Sequence, residues 1–341
     1  MFNEKVILIT GGTGSFGHYF TNYIFSNYKP EKLIIFSRDE FKQYEMAKIF
    51  PTSKHPIRFF LGDIRDKDRL KMALDEVDYV IHAAALKQVP ALEYNPFEAV
   101  KTNILGTQNL TETALEKNVK VVIALSTDKA VNPVNLYGAT KMTMEKLVTA
   151  ANAYVGKRIT KFACVRYGNV VGSRGSVLEY FLSLKNKGIL EFPVTDIKMT
   201  RFWINLDSAI NLVATAIQKC TGGEIFVPKI PSMKILDIIN AISDKSSFKI
   251  IGIRPGEKIN ETLIHEEESR NCYDLIDYYV IMPQFGFESK NFQYYKEHKK
   301  VPEGFIYKSN TNSCWLNVEE MKKLIKNTNI KDYKDGNDDF I

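Results

Sequence analysis

The amino-acid sequence predicts an α/β fold: a doubly wound parallel sheet followed by a smaller C-terminal substrate-binding lobe. Three observations carry that expectation. Short apolar runs alternate with longer amphipathic stretches through the first half, as strand–helix–strand units require. A glycine-rich turn joins the first apolar run to the first helical stretch. After about residue 167 the alternation stops, and Gly-, Pro- and Thr-containing loops appear: GSRGS at 172–176, FPVTDIKMTRF at 192–202 and RPGEK at 254–258.

The apolar runs place strands at Val6 to Thr10, Lys32 to Phe36, Ile57 to Leu61, Tyr79 to His82, Val119 to Leu125 and Phe162 to Arg166. The stretches between them place helices at Ser15 to Asn27, Asp39 to Ile49, Lys67 to Leu74, Pro96 to Glu116 and Leu136 to Tyr154. Residues 1–167 are therefore expected to form a cofactor domain that also carries the catalytic groups. Residues 168–324 form mainly the substrate lobe, with some segments returning to the sheet, and 325–341 a polar, partly disordered tail. The polar stretch from Glu288 to Lys300 reads as an exposed excursion. At 341 residues the chain has room for such a two-part arrangement.

Composition narrows the classes. The chain is 45% hydrophobic and 25% charged, enough for a sizeable core and against general disorder. Its 46 basic and 40 acidic residues give +6, which suits an anionic small molecule better than a nucleic-acid groove, and equally suits ordinary surface variation. The 4 cysteines lie far apart without a C-x-x-C, which excludes a thioredoxin motif or zinc knuckle and fits a reducing compartment. The 5 histidines are scattered, so no metal site is expected. The N-terminus MFNEKVILIT reads as neither signal peptide nor anchor, and no apolar run reaches the roughly 18 residues of a bilayer span. A cytoplasmic protein is expected, without membrane or nucleic-acid partners.

The first strand runs into Thr10-Gly11-Gly12-Thr13-Gly14-Ser15-Phe16-Gly17, which satisfies G-x-G-x-x-G from Gly12. Glycine is needed where backbone must turn tightly and approach a pyrophosphate, and the next helix offers its N-terminal N–H groups to the anion. A plain tight turn would also use glycines, but strand, loop and helix follow in the order a Rossmann dinucleotide site requires. Gly11, Gly14, Ser15, Phe16 and Gly17, with His18 beside them, are the expected cofactor contacts. The second strand leads into Ser37-Arg38-Asp39-Glu40-Phe41-Lys42 rather than into the acid that takes an NAD ribose. Ser37, Arg38 and Lys42 suit a 2′-phosphate, so NADP is expected. Asp63, with Ile64, closes the third strand, where it could accept from the adenine amino group or simply make a turn. Small side chains at Ala83 and Ala84 close the fourth and leave room for the cofactor.

The fifth strand ends in Leu125-Ser126-Thr127-Asp128-Lys129, and a turn leads to Tyr137 and Lys141. At i and i+4 these two share a helix face. An ammonium near the phenol lowers its pKa, so that Tyr137 can take a proton from a hydroxyl being oxidised. Alone, Y-x-x-x-K is a chance pattern. Behind a glycine loop and a Ser/Thr-bearing strand it points to catalysis.

With these motifs assembled, the sequence resembles the extended short-chain dehydrogenase/reductase family: the glycine loop, GDIRD, HAAA, Asn103 in TNILGT and YxxxK all match. SRDEFKQ, HAAALKQVPALEYNP, LSTDKA, NLYGATK, RYGNVVGSRGSV, KMTRF, GGEIFVPKIPS and IRPGEK resemble its inverting UDP-N-acetylglucosamine 4,6-dehydratases, over roughly residues 4 to 283 and again in VPEGFIYKSNTNSCWLNVEE. The resemblance implies a hydro-lyase using NADP and UDP-N-acetylglucosamine, at the first step of pseudaminic acid synthesis for flagellin glycosylation. It assigns Lys129 as the C5 base, Asp128 as the acid for the leaving C6 hydroxyl, Thr127 to the C4 ketone, and Tyr137 with Lys141 to C4 oxidation. It adds Lys87 and Val170 to the cofactor contacts, and places Ala83, Leu125, Ser126, Asn169, Leu178, Thr195, Arg254 and Asn312 along the substrate. Relatives self-associate through helices near 96–116 and 136–154, so a homo-oligomer is implied, a dimer or larger with a hexamer among the sizes open. The competing expectations are a nucleotide-sugar epimerase or reductase on the same fold, and a non-enzymatic NADP-binding sensor.

Overall fold

The computed structural model describes residues 1–284 and 293–327. Six parallel strands, β1 (Val6–Thr10), β2 (Lys32–Ser37), β3 (Ile57–Leu61), β4 (Tyr79–His82), β5 (Val121–Thr127) and β6 (Lys161–Tyr167), run in the spatial order β3-β2-β1-β4-β5-β6. Every residue of β1 and β5 is buried, which is why these segments read as unbroken apolar runs. Helices α1 (Ser15–Asn27), α2 (Glu40–Ile49) and α3 (Lys67–Ala73) make the first crossovers. Asp39 and Asp66 cap α2 and α3 by accepting from the Lys42 and Arg69 amides. Strand order reverses between β1 and β4, and ligands bind at such a reversal, beyond the carboxyl ends of the strands.

Among the described residues, later segments extend the sheet to ten strands. Ile225–Pro228 adds parallel to β6, followed by antiparallel Tyr278–Ile281, Cys272–Asp274 and Lys299–Lys300. The lobe has its own core, in which Leu178, Phe181, Phe192, Trp203 and Met233 pack with helix Ile235–Ile242. Strand Thr200–Ile204 lies between Asn169–Val170 and Ser232–Lys234.

Four expectations change in detail. β5 continues to Thr127 because Ser126 and Thr127 still pair with Arg166 and Tyr167. The helix expected over Pro96 to Glu116 is interrupted by a π-turn at Val100–Leu105. The helix from Leu136 is regular to Ala150 and closes as a tighter 3₁₀ turn over Ala151–Tyr154. The stretch from Glu288 to Lys300 is not simply an exposed excursion: Tyr295 is buried and its hydroxyl donates to the Lys219 carbonyl at 2.9 Å. Residues 288–292 of that stretch lie outside the described residues, as do 328–341 of the expected tail, whose first residues 325–327 finish helix Val318–Asn327.

Candidate active site

The cofactor wall is built from backbone. Gly11 adopts φ +65°, donates its N–H to the Phe36 carbonyl at 2.8 Å, and lies so close to the next strand end that a Cβ would meet the Ala84 Cα at 2.8 Å. Only glycine fits that left-handed, crowded position. Gly14 stands at the head of α1 without a side-chain cap, no acid occupies the first turn, and Ser15, Phe16 and Gly17 form it. This cradle, which a side chain would fill, fits a dinucleotide pyrophosphate. Arg174 lies across the loop, its amide donating to Ser15 Oγ at 3.3 Å and its guanidinium to the Thr13 carbonyl at 2.9 Å. Burial, with Arg174 close by, lowers the His18 pKa to about 4, so the imidazole is neutral at pH 7.

A relay of hydrogen bonds fixes the neighbouring strand ends. Ala84 N–H donates to Thr10 Oγ1 at 3.2 Å, and the two His82 ring nitrogens meet Thr10 Oγ1 at 2.8 Å and Thr107 Oγ1 at 2.9 Å. Because Thr107 donates to the Asn103 carbonyl, it accepts from His82 Nε2, which leaves Nδ1 to accept from Thr10. Burial lowers the His82 pKa to about 3 and keeps this tautomer neutral. On the π-turn, Asn103 clasps both the amide and the carbonyl of Leu86 and reaches Thr140.

At the adenosine end, Ser37 is buried with its hydroxyl accepting from Gln43, while Arg38 is largely exposed and 3.8 Å from Asp63. Lys42 pairs with Asp39 at 3.1 Å. Asp63 is already engaged, accepting from the Arg65 amide at 2.9 Å and its guanidinium at 2.7 Å. Ile64 is buried against Gly106.

The wall that carries the candidate catalytic residues is built from charge. Lys129 Nζ donates to Asp128 Oδ1 at 3.0 Å and to Asn169 Oδ1 at 3.4 Å, and Thr127 donates to Asp128 Oδ1 at 2.9 Å. Burial works to lower the Lys129 pKa, but the Asp128 and Glu261 carboxylates more than offset it and the net shift is upward. Helix Leu136–Ala150 starts hard against this turn, since a Cβ on Gly138 would meet the Lys129 carbonyl at 2.2 Å. That contact brings Tyr137 beside Thr127 and the Lys129 charge. Burial pushes the phenol up to about 12, opposed by the Lys129 charge and the nearby Thr127 hydroxyl.

The expected role of the Lys141 charge needs correction here. Its ammonium turns into the core, donating to the Leu125 carbonyl at 2.5 Å and to Met144 Sδ at 3.0 Å, so the cation acting on the phenol is Lys129. Burial lowers Lys141 itself to about 8. Two buried atoms beside this cluster, Ser126 Oγ and Asp128 Oδ2, have no hydrogen-bond partner, which fits a polar ligand entering there.

A family model described as "Polysaccharide biosynthesis protein" matches residues 7–283. The chain belongs to that family. The inverting UDP-N-acetylglucosamine 4,6-dehydratase of Campylobacter jejuni is 50% identical, covering 96% of this chain and 99% of its own. A UDP-glucose 4-epimerase of Rickettsia canadensis is 40% identical, covering 96% and 97%. Among solved structures, Pen from Bacillus thuringiensis superposes with a TM-score of 0.87 at 37% identity, covering 97% of this chain and 99% of that one. The dTDP-glucose 4,6-dehydratase DesIV of Streptomyces venezuelae, with NAD bound, shares the fold at 20% identity and TM-score 0.69, covering 86% and 97%.

In this family member several expected substrate contacts, Asn169 aside, sit apart from the Thr127–Lys129 turn. Leu178 is completely buried in the lobe core, so its side chain packs rather than lines a site. The Asn312 amide donates to the Ile230 and Cys314 carbonyls, both at 2.9 Å, and to Ser232 Oγ at 3.0 Å, which makes it a staple for the C-terminal segment. Thr195 donates to Met199 Sδ, and Arg254 is exposed on a loop with its amide on Glu257. Leu125 faces the core, Ala83 packs against it, and Asn169 and Val170 pair with Trp203 and Ile204. Lys87 donates to the Arg174 carbonyl at 2.7 Å, which joins the cofactor wall to the lobe. Glu261, Arg201, Lys258 and Arg174 are the site residues that sequence reasoning missed. All four lie in or beside loop runs already marked as unusual: GSRGS, KMTRF and RPGEK.

Proposed function

We propose that this chain is an NADP-dependent UDP-N-acetylglucosamine 4,6-dehydratase that inverts C5, giving the β-L-arabino 4-keto-6-deoxy product. The observation that carries the reading is the Asp128–Lys129 ion pair beside Tyr137 and Thr127, an acid–base pair next to an oxidation site. When bound, a nicotinamide would supply reversible hydride uptake; Ser37, Arg38 and Lys42 would favour the phosphorylated form of the dinucleotide, and the Gly11–Gly17 turn would hold its pyrophosphate. Tyr137, in the phenolate form that the Lys129 charge favours, takes the C4 hydroxyl proton, and with that hydride uptake C4 would become a ketone and C5 acidic.

The proton count of the pair then closes. At rest Lys129 is an ammonium and Asp128 a carboxylate, and moving one proton along their 3.0 Å hydrogen bond gives a neutral amine and a carboxylic acid. Lys129 then accepts the C5 proton while Asp128 protonates the departing C6 hydroxyl. Water leaves, the C5–C6 double bond forms, and the resting ion pair is restored; return of the hydride to C6 and delivery of a solvent-derived proton to the opposite face of C5 would complete the inverted 6-deoxy ketone. Thr127 is assigned to the C4 oxygen, and to take that role its hydroxyl exchanges Asp128 for the ketone. Ser126 and Asn169 flank the sugar.

We assign the enzyme to the cytoplasm, where its two diffusible ligands occur; among the described residues no helix is long and apolar enough to cross a membrane. Exposed Tyr94, Phe97 and Leu105 beside the π-turn support a homo-oligomer formed through that face. A product of this configuration fits the first step toward pseudaminic acid.

The test is incubation of the pure protein with UDP-N-acetylglucosamine and NADP in deuterated water, followed by NMR. The expected product lacks its 6-hydroxyl, carries deuterium at C5 and has the L-arabino configuration. A D-xylo product formed first would overturn inversion, and stoichiometric NADPH would overturn the dehydratase reading. The relative named as a 4-epimerase supplies a second reading, under which the product keeps its 6-hydroxyl.

A further inference from the structure

We propose that Glu261 is a positioning residue for the elimination, the counter-charge that keeps the Asp128–Lys129 pair holding its one proton. The inference deepens the dehydratase reading and rests on it. Glu261 is buried at 2% exposure, with Oε1 3.9 Å from Lys129 Nζ and 3.8 Å from Arg201 Nε, and Oε2 3.8 Å from Lys258 Nζ. Its Oε2 accepts no hydrogen bond. A buried carboxylate left in that state is costly, so its presence calls for a reason.

Holding the fold together is a poor reason. The Glu261 backbone is fixed independently, its amide donating to Ser309 Oγ and its carbonyl accepting from Ser309 N. The Arg201 guanidinium is held by the carbonyls of Thr200, Ile259 and Lys258 at 2.8–3.0 Å, much closer than Glu261. What the carboxylate changes is the field at Lys129. The charged and titratable groups facing that ammonium are Asp128 on its own turn, Tyr137 on the helix beside it, Glu261 on the 258–261 segment, Arg201 on the lobe strand and Lys87 on the loop after β4, with Lys258 next to Glu261. Without Glu261, Asp128 alone would balance Lys129 against Arg201, Lys258 and Lys87. The pair would then lose its proton at lower pH, leaving a carboxylate that cannot protonate the C6 hydroxyl.

Two variants with opposite expected signs test this. Labelling of Lys129 by trinitrobenzenesulfonate, followed by peptide mass spectrometry at pH 9, reports the fraction of neutral amine whether or not the enzyme turns over. Glu261→Gln should label about tenfold faster than the unaltered protein, and Lys258→Gln more slowly, because removing that cation strengthens the hold on the proton. In the dehydration assay, the alkaline limb of kcat for Glu261→Gln should move to lower pH by about one unit with KM nearly unchanged, and Glu261→Asp should restore it. Equal labelling rates in all three proteins, or a kcat reduced by the same factor at every pH, would overturn the proposal. If the unaltered protein leaves UDP-N-acetylglucosamine intact, the dehydratase reading fails by itself, and the labelling rates still decide what Glu261 does.

Discussion

The two walls of the cleft differ in what holds them. Along the glycine loop and the ends of β1 and β4, backbone groups and neutral side chains are paired one to one, from Gly11 on Phe36 through Thr10 and His82 to Asn103. Across the cleft, Asp128, Lys129, Glu261, Arg201 and Lys258 come together from three stretches of chain, and Ser126 Oγ, Asp128 Oδ2 and Glu261 Oε2 lack hydrogen bonds. One wall selects by shape and is complete in itself. The other stores charge and leaves polar atoms for a ligand to satisfy. Substitutions should therefore separate: changes on the charged wall should stop chemistry without loosening the cofactor, and changes on the backbone wall should do the reverse.

The largest expected effect is on the charged wall. Lys129→Ala should lower turnover by about 10²–10⁴-fold, because one proton transfer loses its base. NADP affinity should stay within a few fold, while any transient NADPH absorbance on mixing with UDP-N-acetylglucosamine should rise more slowly, because the Tyr137 phenol loses the charge that favours its ionised form. Parallel loss of NADP binding, by fluorescence titration, would mean that the walls are not independent. On the other side, Arg38→Ala should weaken NADP by about 1.5–3 kcal/mol, the worth of a charge-assisted contact, and leave NAD unchanged. Equal affinities for NAD and NADP in the unaltered protein would remove the case for a 2′-phosphate site.

The same division explains what the sequence could tell. The glycine turn, Thr127-Asp128-Lys129 and Tyr137 with Lys141 each lie within one short run, so spacing and residue type suffice to pick them out. Glu261, Arg201 and Lys258 meet only when the lobe folds back on the catalytic turn, and adjacency in RPGEKINE cannot say that Glu261 is buried while Arg254 is exposed. Leu178 had a local signal: with Phe181 it forms the buried i, i+3 face of helix Val177–Asn186. The π-turn at Val100–Leu105 had none, because a wide turn inside a helix leaves no mark on composition. Helical spacing put Tyr137 and Lys141 on one face, yet a long side chain let the ammonium reach the Leu125 carbonyl instead.

Asn312 sharpens the comparison at the lobe. As a staple, Asn312→Ala should cost about 1–2 kcal/mol by leaving backbone carbonyls unpartnered. Thermal unfolding should show the loss while KM for the UDP-sugar stays put. A raised KM with unchanged melting would return Asn312 to the substrate site.

The smallest effect concerns the neutral relay on the backbone wall. His82 has a pKa lowered by burial from 6.5 to about 3, so the unfolded chain binds more protons there than the folded one whenever the pH lies between or near those values. Stability contributed by keeping this ring neutral is therefore present above about pH 6.5 and is lost progressively as pH falls toward 3. Between pH 7 and pH 6 the folded ring stays neutral while the unfolded one begins to charge, a difference of about 0.7 kcal/mol. Urea unfolding at the two pH values should show that decrement in the unaltered protein and less of it in His82→Phe, which cannot titrate. The Phe variant should be less stable at both, since Thr10 and Thr107 lose their partner, so the slope with pH and not the absolute stability is the reading. An identical slope in the two proteins would mean that the folded ring takes up its proton over the same pH range as the unfolded one, so that the fold does not hold the relay from Ala84 to Asn103 in its neutral form.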